Sequence, residues 1–218
     1  ELMPGVAPGY LTRAAVTLVD TVAISLCVVT LFLLASELYP LPVATFISLI
    51  YGFGSIAWAY ARGTFSEPLV ALGLLSAVLC AFHAQKKDRP FWWLLAGLGL
   101  GGAMLTRQAA AVMVLPLAAW ALLTGWQTAR LRGALTNLFA LGVPIVVAQG
   151  TALAYHMVRF GQPLNTGYEG IYRSVNSLHG LHGLSLSPGK GLLVFVPLVL
   201  VGLAGWPSFL RKRPLLGA

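Results

Sequence analysis

Residues 14–36 read AAVTLVDTVAISLCVVTLFLLAS, and Asp20 is the only charged side chain in this stretch. A helix needs about 20 mostly apolar residues to cross a bilayer, because lipid offers no partner for open backbone amides and a helix pairs them internally. The whole chain shares this composition: 58% of its 218 residues are hydrophobic and 9% are charged, whereas soluble domains have about 25% charged residues. The sequence therefore predicts an integral membrane protein.

Seven apolar runs of this kind follow one another, separated by polar connectors. We therefore expect an all-α fold, a polytopic transmembrane helical bundle with about seven spans that forms a single domain over residues 1–218. The expected spans are residues 14–36, 41–61, 68–84, 91–105, 109–126, 134–158 and 191–210. The chain starts at Glu1 without a visible signal peptide, so we expect an internal fragment without its flanking N-terminal and C-terminal regions.

Basic residues cluster in three connectors, and this pattern predicts the orientation of the bundle. QKKDR (85–89), QTARLR (127–132) and RKR (211–213) fall on one face if all the expected spans form, and the positive-inside rule makes that face cytoplasmic. Topology then explains the net charge of +8, so we expect membrane lipids rather than nucleic acid as partners. The other connectors, including a long one over residues 159–190, are expected on the extracytoplasmic side.

The connector YARGTFSEPL (60–69) carries charge that a simple turn does not require. One interpretation is an interfacial turn, in which Glu67 caps the helix that begins near Pro68 and Arg62 extends to the lipid headgroups. The other is a binding site at the membrane surface, in which Glu67 binds a metal or a sugar hydroxyl and Arg62 binds a phosphate. The residues alone leave both interpretations open.

Two further charged residues share this ambiguity. Arg107, at the end of the fourth apolar run, is either an anchor at the headgroups or a ligand for an anion. Asp20 lies inside the first run, where a carboxylate is a functional candidate by default, but it can also cap or hydrogen-bond near the membrane surface. Cys27 and Cys80 lie inside apolar runs and are expected to pack as small apolar groups.

The long connector adds five candidate residues among glycines and tyrosines: Glu169, Arg173, His179, His182 and Lys190. Connectors beyond about 12–15 residues are usually functional or disordered, so this length favours a role. The two histidines lie on a segment expected to be non-helical and supply only two ligands, which is a weak indication of a metal site. SPGKG (187–191) lacks the spacing and the final Ser or Thr of a Walker A loop, yet it can present Lys190 to a lipid phosphate or anchor it at the interface.

Four stretches, in this order, resemble a known family. They are YGFGSIAWAYARGTFSEPL (51–69), GLGLGGAMLTRQAAAVMVLPL (97–117), FGQPLNTGYEG (160–170) and SPGKGLLVFVPLVLVGLAG (187–205). Together they resemble bacterial membrane glycosyltransferases of the C-type fold (GT-C), the group similar to protein O-mannosyltransferases and lipid A aminoarabinose transferases. The resemblance extends over nearly the whole chain.

The resemblance implies a glycosyltransferase of the bacterial inner membrane. Such enzymes move a hexose or pentose from a polyprenyl-phosphate donor to a lipid, glycan or protein hydroxyl on the extracytoplasmic side. The family's acidic residue in an outer loop then matches Glu67, which follows Arg62, and its basic residue in a Leu-Thr-Lys/Arg stretch matches Arg107. We expect Arg62, Arg107 and Lys190 to bind the donor phosphate.

Glu67 is expected to support catalysis, by orienting the sugar or helping to hold a divalent metal ion, rather than to act as the general base. The family's principal catalytic aspartate lies in the first outer loop, so the resemblance places it upstream of residue 1. A polytopic transporter or lipid flippase is the first alternative, and a non-catalytic membrane subunit is the second. Most ionisable residues lie at the ends of the apolar runs and no inverted repeat is evident, which favours the enzyme.

Overall fold

The structure is a computed structural model that describes residues 8–165, 177–187, 192–196 and 198–212. Every regular element in these ranges is a helix, which confirms the all-α class. The elements are α1 (Pro8–Leu38), α2 (Leu41–Phe53), α3 (Ala57–Tyr60), α4 (Glu67–Lys87), α5 (Pro90–Thr106), a 3-10 helix (Gln108–Met113), α6 (Val114–Phe160), α7 (Ser177–Leu186), α8 (Leu192–Phe195) and α9 (Leu198–Lys212). The chain divides into two compact units, Glu1–Tyr155 and His156–Ala218.

Three of the described helical segments are long and apolar enough to cross a membrane. They are Thr17–Leu38, Glu67–Lys87 and Gln108–Phe160, whereas Leu41–Phe53, Pro90–Thr106 and Val199–Phe209 are apolar but shorter. The structure thus supports an integral membrane protein, but the prediction of seven spans is not confirmed.

The expected span over residues 41–61 is broken. α2 ends at Phe53, Gly54 follows it as the C-cap, and α3 begins only at Ala57. The Ser55 hydroxyl accepts a hydrogen bond from the Ala57 backbone N–H at 3.2 Å, so Ser55 interrupts the helix ladder and starts the next short helix. Apolar content alone did not reveal this break, because Gly54 and Ser55 are tolerated in membrane helices.

The expected spans 109–126 and 134–158 correspond to the 3-10 helix together with α6, and they differ from the expectation in how they begin and how they are joined. The first begins as a 3-10 helix and is α-helical only from Val114, and the two are joined through Ala129 and Arg130, whose backbone angles are non-helical. The Asn137 side-chain amide lies 3.3 Å from the Ala121 carbonyl oxygen. In a straight helix these residues would lie about 24 Å apart, so residues 114–128 and 131–160 form two arms of a hairpin.

The helices of the first unit pack through small residues. A Cβ atom placed on Gly73 of α4 would lie 2.6 Å from the Gly99 carbonyl oxygen of α5, and one placed on Gly97 would overlap the Leu141 carbonyl oxygen of α6. Such close approach of backbones is typical of helix packing in lipid, where dispersion contacts replace the hydrophobic effect as the driving force. The buried cluster consists of Ala77, Ala81, Ala84, Trp93, Ala96, Leu100, Ala103, Met104, Ala110, Leu117, Ala121, Leu141 and Ile145.

α4 defines two ends of this unit, which we call the Glu67 end and the Lys87 end after its first and last residues. At the Lys87 end, the Lys86 ammonium lies 2.8 Å from the Glu37 carboxylate of α1, and the Thr128 hydroxyl donates to Asp88 at 3.1 Å. The connectors 85–89 and 127–132 therefore lie at the same end, as the order of the apolar runs predicts.

The second unit corrects one expectation about the histidine pair. His179 and His182 lie on α7, a helix over Ser177–Leu186, and not on a non-helical segment. Leucines recur at every third position of this segment, a pattern that the intervening glycines obscure.

Candidate functional site at the Glu67 end

Glu67 is the first residue of α4, and its carboxylate forms an ion pair with the Arg107 guanidinium. The second carboxylate oxygen accepts from the Ser66 hydroxyl at 3.5 Å, a long contact. Ser66 occupies the N-cap position without a side-chain cap hydrogen bond. The structure thus brings together Glu67 and Arg107, which the sequence proposed separately.

The α4–α5 hairpin explains why residues 40 positions apart meet. Asp88 ends α4 in the left-handed region (φ 48°), and α5 begins at Pro90, so the two helices reverse direction within a very short connection. Close contact at Gly73 and Gly99 then holds the helices together towards their other ends. α5 ends at Thr106, and the extended backbone of Arg107 (φ −153°, ψ 116°) carries its side chain beyond the helix.

Arg62 lies in the connector that precedes Glu67, and its guanidinium carbon stacks 4.4 Å from the centroid of the Trp58 ring. α1 holds this connector at two points. The Phe65 backbone N–H donates to the Asp20 carboxylate at 2.7 Å, and the Thr21 hydroxyl donates to the Ala61 carbonyl at 2.7 Å. Asp20 is only 2% exposed, so its partner is a backbone group inside the protein rather than water or a headgroup.

Two glutamines that sequence analysis missed lie beside the ion pair. Gln108 follows Arg107 directly, and its side-chain amide forms a reciprocal hydrogen-bonded pair with that of Gln149 on α6. The sequence feature that could have identified this pair is the polar amide of Gln149 inside the apolar run 134–158. Polar residues inside membrane helices are often functional or form contacts between helices.

The remaining five candidates lie in the long connector. Glu169, Arg173 and Lys190 lie outside the described residues, and His179 and His182 belong to the second unit. Across the part of the chain that the structure describes, no cluster of three or more His, Cys, Asp or Glu side chains could hold a metal ion.

The ion pair retains capacity for a ligand. A guanidinium has five N–H donors in a planar fork, and the contact with Glu67 uses the Nη1 side of Arg107. The side chains of Glu67 and Arg107 are 38% and 53% exposed, so an incoming group can reach both. An arginine of this kind binds a phosphate in bidentate fashion, and a neighbouring carboxylate accepts hydrogen bonds from sugar hydroxyls.

Comparison with known proteins identifies the family. The model of the family described as dolichyl-phosphate-mannose-protein mannosyltransferase matches residues 9–151, a range that contains the ion pair, its supports on α1 and the glutamine pair. No match was found among curated proteins or among solved structures. Because the match covers well over half of the chain, this protein belongs to the dolichyl-phosphate-mannose-protein mannosyltransferase family of membrane glycosyltransferases.

Proposed function

We propose that the protein transfers a sugar from a polyprenyl-phosphate donor to a hydroxyl of a lipid, glycan or protein acceptor, on the extracytoplasmic side of a bacterial inner membrane. The observation that carries this proposal is the Glu67–Arg107 ion pair at one end of an apolar helical bundle, within the range that matches the family. The donor's lipid tail stays in the bilayer, so its phosphate must be bound at headgroup depth.

The length of α4 agrees with such a depth. Its 21 residues extend about 30 Å at 1.5 Å per residue, which is the thickness of a bilayer's hydrocarbon core. Glu67 and Lys87 would then lie near opposite membrane surfaces, and the ion pair would lie beside the donor phosphate rather than at the centre of the bilayer.

The proposed reaction assigns separate tasks to the charged residues. The acceptor oxygen attacks the anomeric carbon, the bond from that carbon to the phosphate oxygen breaks, and the acceptor proton passes to a general base other than Glu67. Arg107 stabilises the negative charge that develops on the departing polyprenyl phosphate, with Arg62 and Lys190 as further cations. Glu67 orients Arg107 and a sugar hydroxyl. If the reaction uses a divalent metal ion, Glu67 is the residue that would help to bind it.

Substitution of Arg107 tests this proposal. In the intact protein reconstituted in liposomes with polyprenyl-phosphate mannose, Arg107→Gln should lower turnover by about 10²-fold or more, because a transition-state contact to the leaving phosphate is lost. Arg89→Gln, which removes the same charge at the Lys87 end, is the matched control and should leave turnover unchanged. Transfer of radiolabelled sugar to acceptor is the measurement.

Two outcomes would contradict the proposal. Equal turnover in Arg107→Gln and the unsubstituted protein would mean that the ion pair is an interfacial anchor. Movement of the labelled donor across the bilayer without any sugar transfer would favour a lipid flippase instead.

A further inference from the structure

We propose that Gln108 and Gln149 form a subsite that binds hydroxyl groups of the donor sugar, an inference that rests on the function proposed above. Each residue contributes a planar amide at the Glu67 end, one from the 3-10 helix and one from the second arm of α6.

The amides bind each other without using all their hydrogen-bonding groups. Gln108 donates to the Gln149 oxygen at 3.3 Å, and Gln149 donates to the Gln108 oxygen at 3.0 Å. A glutamine amide has two N–H donors and an oxygen with two lone pairs, so the reciprocal pair leaves a second N–H and a second lone pair on each side chain. A planar amide can therefore donate to one sugar hydroxyl through its N–H and accept from an adjacent hydroxyl through its oxygen.

Helix packing fixes the position of this pair relative to the ion pair. Ala148, which precedes Gln149, lies against Gly101 of α5: a Cβ atom on Gly101 would lie 3.0 Å from the Ala148 Cβ. Arg107 lies fewer than two helical turns beyond Gly101, so Gln149 reaches the residue that follows Arg107. The paired amides therefore lie at the same end of the unit as Arg107, one residue along the chain from the residue proposed to bind the donor phosphate.

A purely structural role explains less of this arrangement. The reciprocal bonds join the two helices, which a structural role explains, but such a role gives no function to the second N–H and the second lone pair of each amide. Gln108 is also exposed, which leaves its free donor and acceptor open to a ligand. A site built to bond a hydroxyl discriminates strongly against an analogue that lacks it.

Binding of deoxy-sugar donors tests the subsite. The probes are polyprenyl-phosphate mannose and its 2-, 3-, 4- and 6-deoxy analogues, with affinity measured for the intact protein in lipid nanodiscs. Gln108→Ala and Gln149→Leu should each weaken binding of the parent donor about tenfold, the effect of one lost hydrogen bond. For at least one deoxy analogue the substituted and unsubstituted proteins should bind equally, because the hydroxyl that made the contact is absent. Gln127→Ala, an exposed amide at the Lys87 end, is the control and should change nothing.

An equal loss of affinity for the parent donor and for every analogue would overturn the subsite, since it would show only a structural role. Unchanged affinity in both variants would overturn it as well. If Gln149→Leu fails to insert, Gln149→Asn keeps the amide but withdraws it by one methylene and should show the same analogue dependence. An unsubstituted protein that binds none of the donors would contradict the proposed function itself, a result distinct from either failure of the subsite.

Discussion

Glu67 occupies a position that two different interactions favour. As the first residue of α4 its negative charge complements the positive end of the helix dipole, and as a partner of Arg107 it balances a guanidinium. The first interaction alone would contribute only stability. The second leaves a permanently charged fork oriented at the end of the bundle, where it can bind an anion.

Glu67→Gln separates these two interactions. If Glu67 were only a helix-end residue, the substitution would cost at most about 1 kcal/mol of stability and leave transfer nearly unchanged, since an amide still hydrogen-bonds there. With the role proposed here, turnover should fall by about 10²-fold at an unchanged thermal midpoint, because one charged contact of the transition state is lost. Sugar transfer and thermal unfolding of the same preparation provide the comparison.

Glu37→Gln is the matched control, because it removes a carboxylate that is paired with Lys86 at the Lys87 end. If turnover falls equally in Glu67→Gln and Glu37→Gln, the cause is the general loss of an ion pair and not a role of Glu67 in sugar transfer.

Among the elements, α5 has the most restrictive surroundings, because its glycines face backbone atoms of both neighbouring helices. Gly99 meets α4, whereas Gly97 and Gly101 meet the second arm of α6. Gly102 has no atom within 4 Å of the position that a Cβ would occupy. α5 thus packs against both α4 and the second arm of α6. Its glycines differ in the space that is available for a larger side chain.

This difference predicts unequal effects of substitution in α5. Gly97→Val should destabilise the fold by about 1–3 kcal/mol, because its Cβ would overlap the Leu141 carbonyl and force the helices apart. The thermal midpoint in nanodiscs should fall by about 2 °C or more. Gly102→Val should leave the midpoint within about 1 °C, and a similar fall for both substitutions would show that helix propensity rather than packing sets the cost.

Sequence patterns predicted the existence of these helices better than their ends or their contacts. Apolar runs located α1, α4 and α5, because burial in lipid requires a continuous apolar segment. The break after Phe53 and the helix Ser177–Leu186 were missed, because single glycines and serines carry little information about where a membrane helix stops. The sequence identified Glu67 and Arg107 as separate candidates but did not predict their contact. That contact depends on the reversal of chain direction between α4 and α5, about 20 residues from each of them.

At the scale of the whole molecule, the first unit has its two ends marked by charge of different kinds. The connectors 85–89 and 127–132 at the Lys87 end carry five basic residues and one acidic residue, whereas the connector 61–66 and the Glu67–Arg107 pair at the Glu67 end carry two basic residues and one acidic residue. From this asymmetry the positive-inside rule predicts that the Lys87 end lies in the cytoplasm.

Cysteine-accessibility labelling tests this orientation. If α4 and α5 each cross the hydrocarbon core, as the apolar runs predict, single cysteines at positions 87 and 130 should react only from the cytoplasmic side and those at positions 67 and 107 only from the other side. Reaction at positions 87 and 107 from the same side would contradict the orientation and the assignment of α5 as a crossing helix.

The short α4–α5 hairpin also determines when the parts of the site come into being during synthesis. A chain is synthesised from its N-terminus, so Asp20 of α1 is translated 45 residues before its backbone partner Phe65. Glu67 and Arg107 follow at the two ends of the α4–α5 hairpin, and both precede α6 in the chain. Gln149 joins them last, 41 residues after Gln108. The nascent chain thus contains Glu67 and Arg107 before it contains Gln149, so a ribosome that pauses between residues 108 and 149 holds a chain that has both residues of the ion pair and only one of the two paired glutamines.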